Sequence, residues 1–404
     1  MQNRISLIAL FASAAIFAGT PAFAQDADAF GQRLVEILAA SGLEMSYESA
    51  SADGDTIVLS NFTVTVPDED PIELPGDVTF TGVAEAADGS FTAETATIAD
   101  IEFAEDDVAV TATNFLVEDI TLPASYSPSD LSSLFLYRRS SAGPVSVSVQ
   151  GAEIFTLESF VAETTGDETE ISSSYAVTGL VLDVARIVEE MEADNAEEAE
   201  EAARVFEAFG IEQLVANFTG SGTWWPESGD AELTDLRFDF EDLGALSLSG
   251  SFTGYTAEIY GEFLKMQQKV AASAETMSEE ELTAVQEASL ALLEDVGLVS
   301  LSVRYDDASL FNKGLAFAAA EQGIDATTLA SGLQFMVPMA LAELGNPEFS
   351  SAVTAAVNAF VADPRNLTIS ANPEQPVYFA DFMGIEEDPL VLIDLLGVTV
   401  TANQ

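Results

Sequence analysis

The stretch 231–254, AELTDLRFDFEDLGALSLSGSFTG, leaves few options for how this chain folds. In its first arm Thr234, Leu236, Phe238 and Phe240 alternate with Leu233, Asp235, Arg237 and Asp239, a period of two that sends successive side chains to opposite faces of a β-strand. Leu246 and Leu248 alternate with Ser247, Ser249 and Ser251 in the second arm, and Glu241-Asp242-Leu243-Gly244 turns the chain between them. A sheet with one apolar face and one wetter face follows.

The same alternation recurs at 57–66, 78–84, 91–103, 108–122, 145–149, 154–162 and 171–181, so residues 52–181 read as an antiparallel meander. Phe62, Val64 and Val66 share one side of the first of these strands, and Ala87-Asp88-Gly89-Ser90 marks a hairpin. Ahead of the meander, Phe30, Leu34, Ile37 and Leu38 share the face of a short helix that Ser41-Gly42 stops. Residues 123–143, rich in Pro and Ser and carrying Arg138-Arg139, read as a loop or short helix crossing the sheet. Residues 183–209 read as one acidic helix closed by Gly210, a solvated helix lying on the sheet rather than a docking arm. Trp224-Trp225 lie in a strand, where adjacent side chains diverge, and core packing is the expected role of both.

From residue 258 the pattern turns helical. Ile259, Phe263, Met266 and Val270 mark one helix, and Ser278 with Glu281 forms a capping box for the next. After a strand at 298–306, helices are expected at 309–322, at 325–344, and from the Asn346-Pro347 N-cap to Asp363-Pro364. The second of these holds the uncharged run 326–342; Pro338 should kink or break it, which makes a buried core helix the expectation over a membrane span. Strands at 367–371 and 396–402 close the fold.

Three domains of sequence emerge: 1–24, a signal peptide; 25–255, a β-rich meander with the acidic helix; and 256–404, a helical cluster with closing strands. The signal reading rests on Arg4, the apolar run after it, and Ala22-Phe23-Ala24, with cleavage after Ala24 and a periplasmic destination. No integral span is expected in the mature chain. The fold class is α+β: a large twisted antiparallel sheet with helices packed on its apolar face.

Composition removes whole chemistries. The chain has no cysteine and no histidine, so disulfides, thiol nucleophiles, sulfur metal sites and His-dependent triads are excluded. Its 69 acidic against 12 basic residues give a formal charge of −57, a field that repels nucleic acid and anionic headgroups. No phosphate loop, nucleophile elbow or dinucleotide fingerprint is present, and no cofactor or metal is expected. The acids at 53/55, 68–70, 105–107 and 306–307 lack the spacing of a calcium loop and read as turn acids. Because bases are scarce, Arg237, Arg304 and Lys313 stand out; Arg237 and Arg304 sit beside Asp235, Asp239 and Asp306 on polar strand faces, where cross-strand ion pairing is favoured over a clamp for an anionic ligand.

The segments LTDLRFDFEDLGALSLSGSF and VSLSVRYDDASLFNKGLAFAAAEQGIDATTL…VADPRNLTISANPEQPV resemble uncharacterised secreted proteins of alphaproteobacteria. More distantly, the amphipathic strand meander resembles AsmA-like envelope proteins, although a cleavable signal stands here where those keep a membrane anchor. The resemblance implies an envelope role involving apolar molecules and supplies no catalytic residue. The expected function is therefore a non-enzymatic periplasmic binding or scaffold protein that holds a lipid or other hydrophobic molecule on the sheet face, with Phe238, Phe240, Arg237 and Arg304 as candidate ligand-binding residues. The alternatives are a secreted hydrolase using paired carboxylates and a structural protein acting through its acidic surface.

Overall fold

The computed structural model describes residues 26–40, 44–65, 72–73, 76–105, 107–127, 130–273, 278–342, 344–382 and 389–404. The signal segment 1–24, the acids 68–70, Asp106, the Ser41-Gly42 stop and the side chain of Glu281 lie outside those residues. The fold is α+β, with an extensive antiparallel sheet as expected. The chain divides into two compact units: residues 1–178 with 225–227 and 256–292, and residues 179–224 with 228–255 and 293–404.

In the first unit the meander is built from long strands, each bent once. The strand Phe91–Ile98 continues as Ile101–Glu105; Val108–Ala112 returns beside the latter and Phe115–Leu122 beside the former. Next, Arg139–Ala142 pairs with Phe115–Leu122 while Val145–Val149 pairs with Val108–Ala112, and Ala152–Leu157 with Ser159–Asp167 repeats the arrangement one strand further. The bends therefore fall in a line across the sheet, at 99–100, 113–114, 143–144 and 158. Asn114 holds this line together: its φ is 56°, and its side-chain amide donates to the Gly143 carbonyl at 3.0 Å. Gly143 is required there, because a Cβ would stand 2.5 Å from the Glu158 carbonyl oxygen and its φ of 124° suits no other residue. Period-two patterning reveals each strand but not its bend.

The core of this unit forms where the helix Ala27–Ala40 presses its apolar stripe onto the meander. Phe30, Leu34, Ile37 and Leu38, the four residues expected on that stripe, are all buried. They meet Ile57, Leu59, Phe80, Phe91, Val117, Ile120 and Leu122 from the strands. The expected hairpin at 87–90 is present: Ala84–Glu85 pairs with Phe91–Ile98, and the turn is closed by the Gly89 amide on the Ala86 carbonyl at 2.9 Å.

One strand expectation is corrected here. The alternation 57–66 does not continue as a single strand, because Asn61 adopts φ 55° and turns the chain. Thr63–Thr65 joins a separate small sheet beside Glu44–Ser46, while Thr56–Ser60 stays in the meander.

Residues 123–143 contain a 3-10 turn, Leu131–Phe135, and then enter the strand Arg139–Ala142. Arg139 pairs with Glu118 at 2.6 Å and Glu163 at 2.9 Å, so this scarce base bridges the two neighbouring strands. The Glu118 hydrogen bond, before any other influence, holds its guanidinium more firmly protonated than usual. Trp225 is half-buried and donates from its indole nitrogen to Glu170 at 3.1 Å.

The second unit carries the hairpin on which the sequence is organised, Asp230–Phe240 with Gly244–Thr253. Its sheet continues through Gly297–Asp307, Asn366–Ala371 and Val398–Ala402, all antiparallel. The acidic segment is two helices, Val184–Asp194 and Ala196–Phe209, not one. Asn195 makes the break: its ψ of 93° is not helical, and its side-chain oxygen accepts from the Glu198 amide to start the second helix. Val184, Val188 and Ala199 form a small core between them, and Gly210 closes the second at φ 63°. Trp224 is half-buried as well, donating to the Tyr255 carbonyl at 2.6 Å with its ring 5.5 Å from that of Tyr255. Neither tryptophan is a core residue: both are half-buried, and each directs its indole N–H to a polar partner of its own unit.

The helix expected at 325–344 is Ala326–Ala342, running without a break through Pro338, and the expectation of a buried core helix fails. None of its residues is buried. Among the described residues no helix is long and apolar enough to cross a membrane. The helix Pro347–Ala362 begins as expected, with the Asn346 side chain accepting from the Phe349 amide at 3.0 Å and proline in the first turn.

Candidate functional site

The candidate site is the sheet of the second unit, whose register separates two chemistries onto two faces. Arg237, Ser247, Arg304, Thr368 and Thr401 stand opposite one another in a row across the five strands. Directly opposed residues share a face, so this row is polar throughout. Phe238, Leu246, Tyr305, Leu367 and Ala402 form the adjacent row on the other face, and Leu236, Leu248, Val303, Ile369 and Val400 the row beyond it. The four residues singled out from sequence therefore split: Arg237 and Arg304 lie on one face, Phe238 and Phe240 on the other.

On the polar face the guanidinium groups are engaged. Arg304 donates from Nε and Nη2 to Asp306, the shortest contact being 2.7 Å, and from Nη1 to the carbonyl of Gln404 at 3.4 Å. Arg237 donates to Asp239 at 2.8 Å and to Ser247 at 3.1 Å, and approaches Asp306 within 3.6 Å. Asp306 thus lies between the two arginines, and its hydrogen bond is the main reason that Arg304 is held more basic than an ordinary arginine. Ion pairing is therefore as expected, but its short contacts run along a strand, from each arginine to the carboxylate two residues on, and only the 3.6 Å approach of Arg237 to Asp306 crosses strands; among exposed groups such pairs contribute about 0–1 kcal/mol each, so the network organises charge more than it stabilises the fold. Lys313 lies on the helix Leu310–Glu321. Among the described residues no group of three or more carboxylates is disposed to hold a metal ion.

Aromatic side chains from neighbouring elements pack on part of the apolar face. Phe360, buried on the helix Pro347–Ala362, packs edge-on to Tyr305 at 6.1 Å and to Phe311 at 4.9 Å. Phe218 packs edge-on against both Phe238 and Phe240, at 5.5 and 6.0 Å. No residue of the row Phe238, Leu246, Tyr305, Leu367 and Ala402 is buried, and the next row is the same: Leu236, Leu248, Val303 and Val400 are half-buried and Ile369 is 47% exposed. Leu246, between Phe238 and Tyr305 in the first row, is 37% exposed. Strands about 4.8 Å apart make such a five-strand row roughly 19 Å long, the reach of an extended acyl chain.

A bulge in the organising hairpin extends this face. The register shifts between Leu233 and Leu236, so Leu233 stands opposite Gly250 and joins the apolar side rather than the polar side that strict alternation assigns it. Ile369 and Leu246 had a sequence signal in their alternation with Thr368, Ser370, Ser247 and Ala245, but nothing in the sequence states how exposed they are left.

Tyr305 secures the part packed by Phe360. Its hydroxyl donates to Asp307 at 2.5 Å, and the same carboxylate oxygen accepts from the Phe311 amide at 2.7 Å, tying the strand to the start of the helix Leu310–Glu321. Burial first, and then Asp307, raises the phenol's pKa well above its ordinary value. A group with a raised folded-state pKa contributes stability that is fully present below the unfolded value of about 10 and is lost as pH rises towards the folded one. The stability difference between wild type and Tyr305→Phe, measured by urea unfolding, is expected to shrink steadily above pH 10. A difference independent of pH up to 12 would show that the Asp307 bond does not discriminate between the phenol and its anion.

A family model described only as "Uncharacterized protein" matches residues 237–403, which span most of this sheet and the helices threaded between its strands. The match takes in less than half of the 404-residue chain. No curated protein matches the chain.

Proposed function

We propose that the chain is a non-enzymatic binding or scaffold protein, exported to the periplasm through the signal sequence read at 1–24, that holds a lipid or other hydrophobic molecule against the apolar face of the second unit's sheet. The observation that carries this reading is the in-register apolar row Leu236, Leu248, Val303, Ile369 and Val400, none of it buried, in a protein whose first unit buries the equivalent face of its sheet thoroughly. Apolar surface left in water costs about 25 cal/mol per Å², so a row of this length is an energetic liability unless something covers it. The absence of cysteine and histidine supports binding over catalysis.

Native mass spectrometry with lipid extraction, on mature protein isolated from the periplasm, tests the reading. A stoichiometric lipid is expected, lost in Ile369→Asp and in Leu246→Asp. Both positions are exposed enough for the fold to accept a charge. Protein at the bare chain mass that also fails to take up the neutral dye N-phenyl-1-naphthylamine would overturn it.

A further inference from the structure

The helix Ala326–Ala342 runs for 17 residues without a charge in a chain where 20% of residues are charged, and none of its residues is buried. Its outward face carries Phe335 at 70% exposure, Met336 at 65% and Met339 at 60%, the three most exposed large hydrophobic residues among those described. Exposed Thr328, Ser331, Ala340 and Ala342 surround them with small, uncharged side chains. At its start Asp325 accepts from the Thr328 amide at 2.9 Å and from the Thr328 hydroxyl at 2.6 Å. At its other end the Leu341 carbonyl accepts from Ser350 at 2.9 Å, on the neighbouring helix Pro347–Ala362. The element is therefore capped, attached to the unit, and apolar towards solvent.

We propose that this helix is an interfacial docking surface for an electrically neutral phospholipid bilayer, with Phe335, Met336 and Met339 inserting below the headgroups. Size argues against a second copy as the occupant. Three side chains of about 200 Å² at these exposures present roughly 400 Å², so a symmetric pair buries about 800 Å², under the roughly 1,200 Å² at which specific interfaces begin. A pair also brings together two bodies of formal charge −57. A bilayer demands neither shape complementarity nor a second charged body. At 1.5 Å per residue the helix is about 26 Å long, short of the bilayer's apolar thickness, and so lies in the interface plane instead of spanning.

Charge selects the lipid. Interfacial helices commonly carry Lys or Arg on their polar side for anionic headgroups. This helix has neither, and Asp325 and Glu321 precede it. The occupant that fits an uncharged patch set in an acidic protein is a zwitterionic surface.

The test is flotation of the mature full chain with phosphatidylcholine vesicles, alone or with one third phosphatidylglycerol. Wild type is expected to float with the neutral vesicles and several-fold less with the anionic ones at low salt. The triple variant Phe335→Ser, Met336→Ser, Met339→Ser is expected to float at least tenfold less while keeping its thermal transition and any lipid carried on the sheet face. Ile369→Asp separates the two sites, since its flotation should match wild type. Wild type remaining in the lipid-free fractions, or the triple variant floating equally well, overturns the proposal. A concentration-dependent dimer abolished by the triple variant would assign the patch to a second copy and overturn it too.

Discussion

Replacing Phe30 by alanine is expected to destabilise the first unit by about 3–5 kcal/mol, the cost of deleting a fully buried aromatic side chain together with the cavity it leaves. Phe30 is 0% exposed and is the point where the helix Ala27–Ala40 enters the sheet. Its ring meets Phe80 edge-on at 4.9 Å and Phe91 edge-on at 5.6 Å, so the substitution removes two aromatic contacts as well as buried area. The site is poorly placed to collapse, because Ile57, Ile120 and Leu122 around it are held in paired strands. Since the chain has two units, a single midpoint is not a safe readout. Hydrogen exchange followed by mass spectrometry on peptides covering 27–40 and 91–98 is the direct one. Both should lose protection together, while 230–253 keeps its own. A loss confined to 27–40, or an effect under about 1 kcal/mol, would mean that the helix is an accessory to the sheet and not its core.

That expectation could be written from sequence because both halves of the contact were visible there. Phe30, Leu34, Ile37 and Leu38 repeat at helical spacing and the strands alternate at period two, and a one-sided helix beside a one-sided sheet has one place to put its apolar stripe. What stayed hidden was set by single residues acting against their segment's average. Asn61 and Asn114 adopt a left-handed backbone, and one ends a strand while the other bends it, yet each lies inside an uninterrupted alternating run. Asn195 splits the acidic segment by capping, although the helical periodicity continues on both sides of it. The bulge at 234–235 moved Leu233 across the sheet for the same reason: one unpaired residue reverses every assignment beyond it.

The candidate site was legible to a similar depth. Ion pairing of Arg237 and Arg304 followed from scarcity: in a chain with 12 bases and 69 acids, a strand-borne arginine finds carboxylates on every side. That Phe238 and Arg237 belong to opposite faces also followed from alternation. Coverage did not, because whether a sheet face is open depends on where later helices land. The helix Ala326–Ala342 shows the limit from the other direction. An uncharged run is ordinarily a buried one, but burial is a property of neighbours, and among the described residues Phe335, Met336 and Met339 of this helix have few.

Phe360→Ala is the second large effect, expected at about 3–5 kcal/mol in the second unit, and it tests how the covered and open parts of the apolar face are related. Phe360 is 5% exposed and lies against Phe311 and Tyr305, so one side chain joins the helices Pro347–Ala362 and Leu310–Glu321 to the sheet. The helix keeps a second attachment in Asn403, whose amide donates to the Ala359 carbonyl at 3.0 Å and to the Asp363 carbonyl at 2.8 Å. Loss of Phe360 should therefore loosen the helix without detaching its last turn. Uncovering Tyr305 adds apolar surface opposite the exposed Leu246, so N-phenyl-1-naphthylamine fluorescence should rise even as urea unfolding moves to lower denaturant. Phe360→Leu, which refills most of the volume without the edge-on geometry, should recover about half of the stability and most of the exclusion of dye. If stability falls but dye binding does not, the helix is not what bounds the open strip, and its edge has to be sought among the strands themselves.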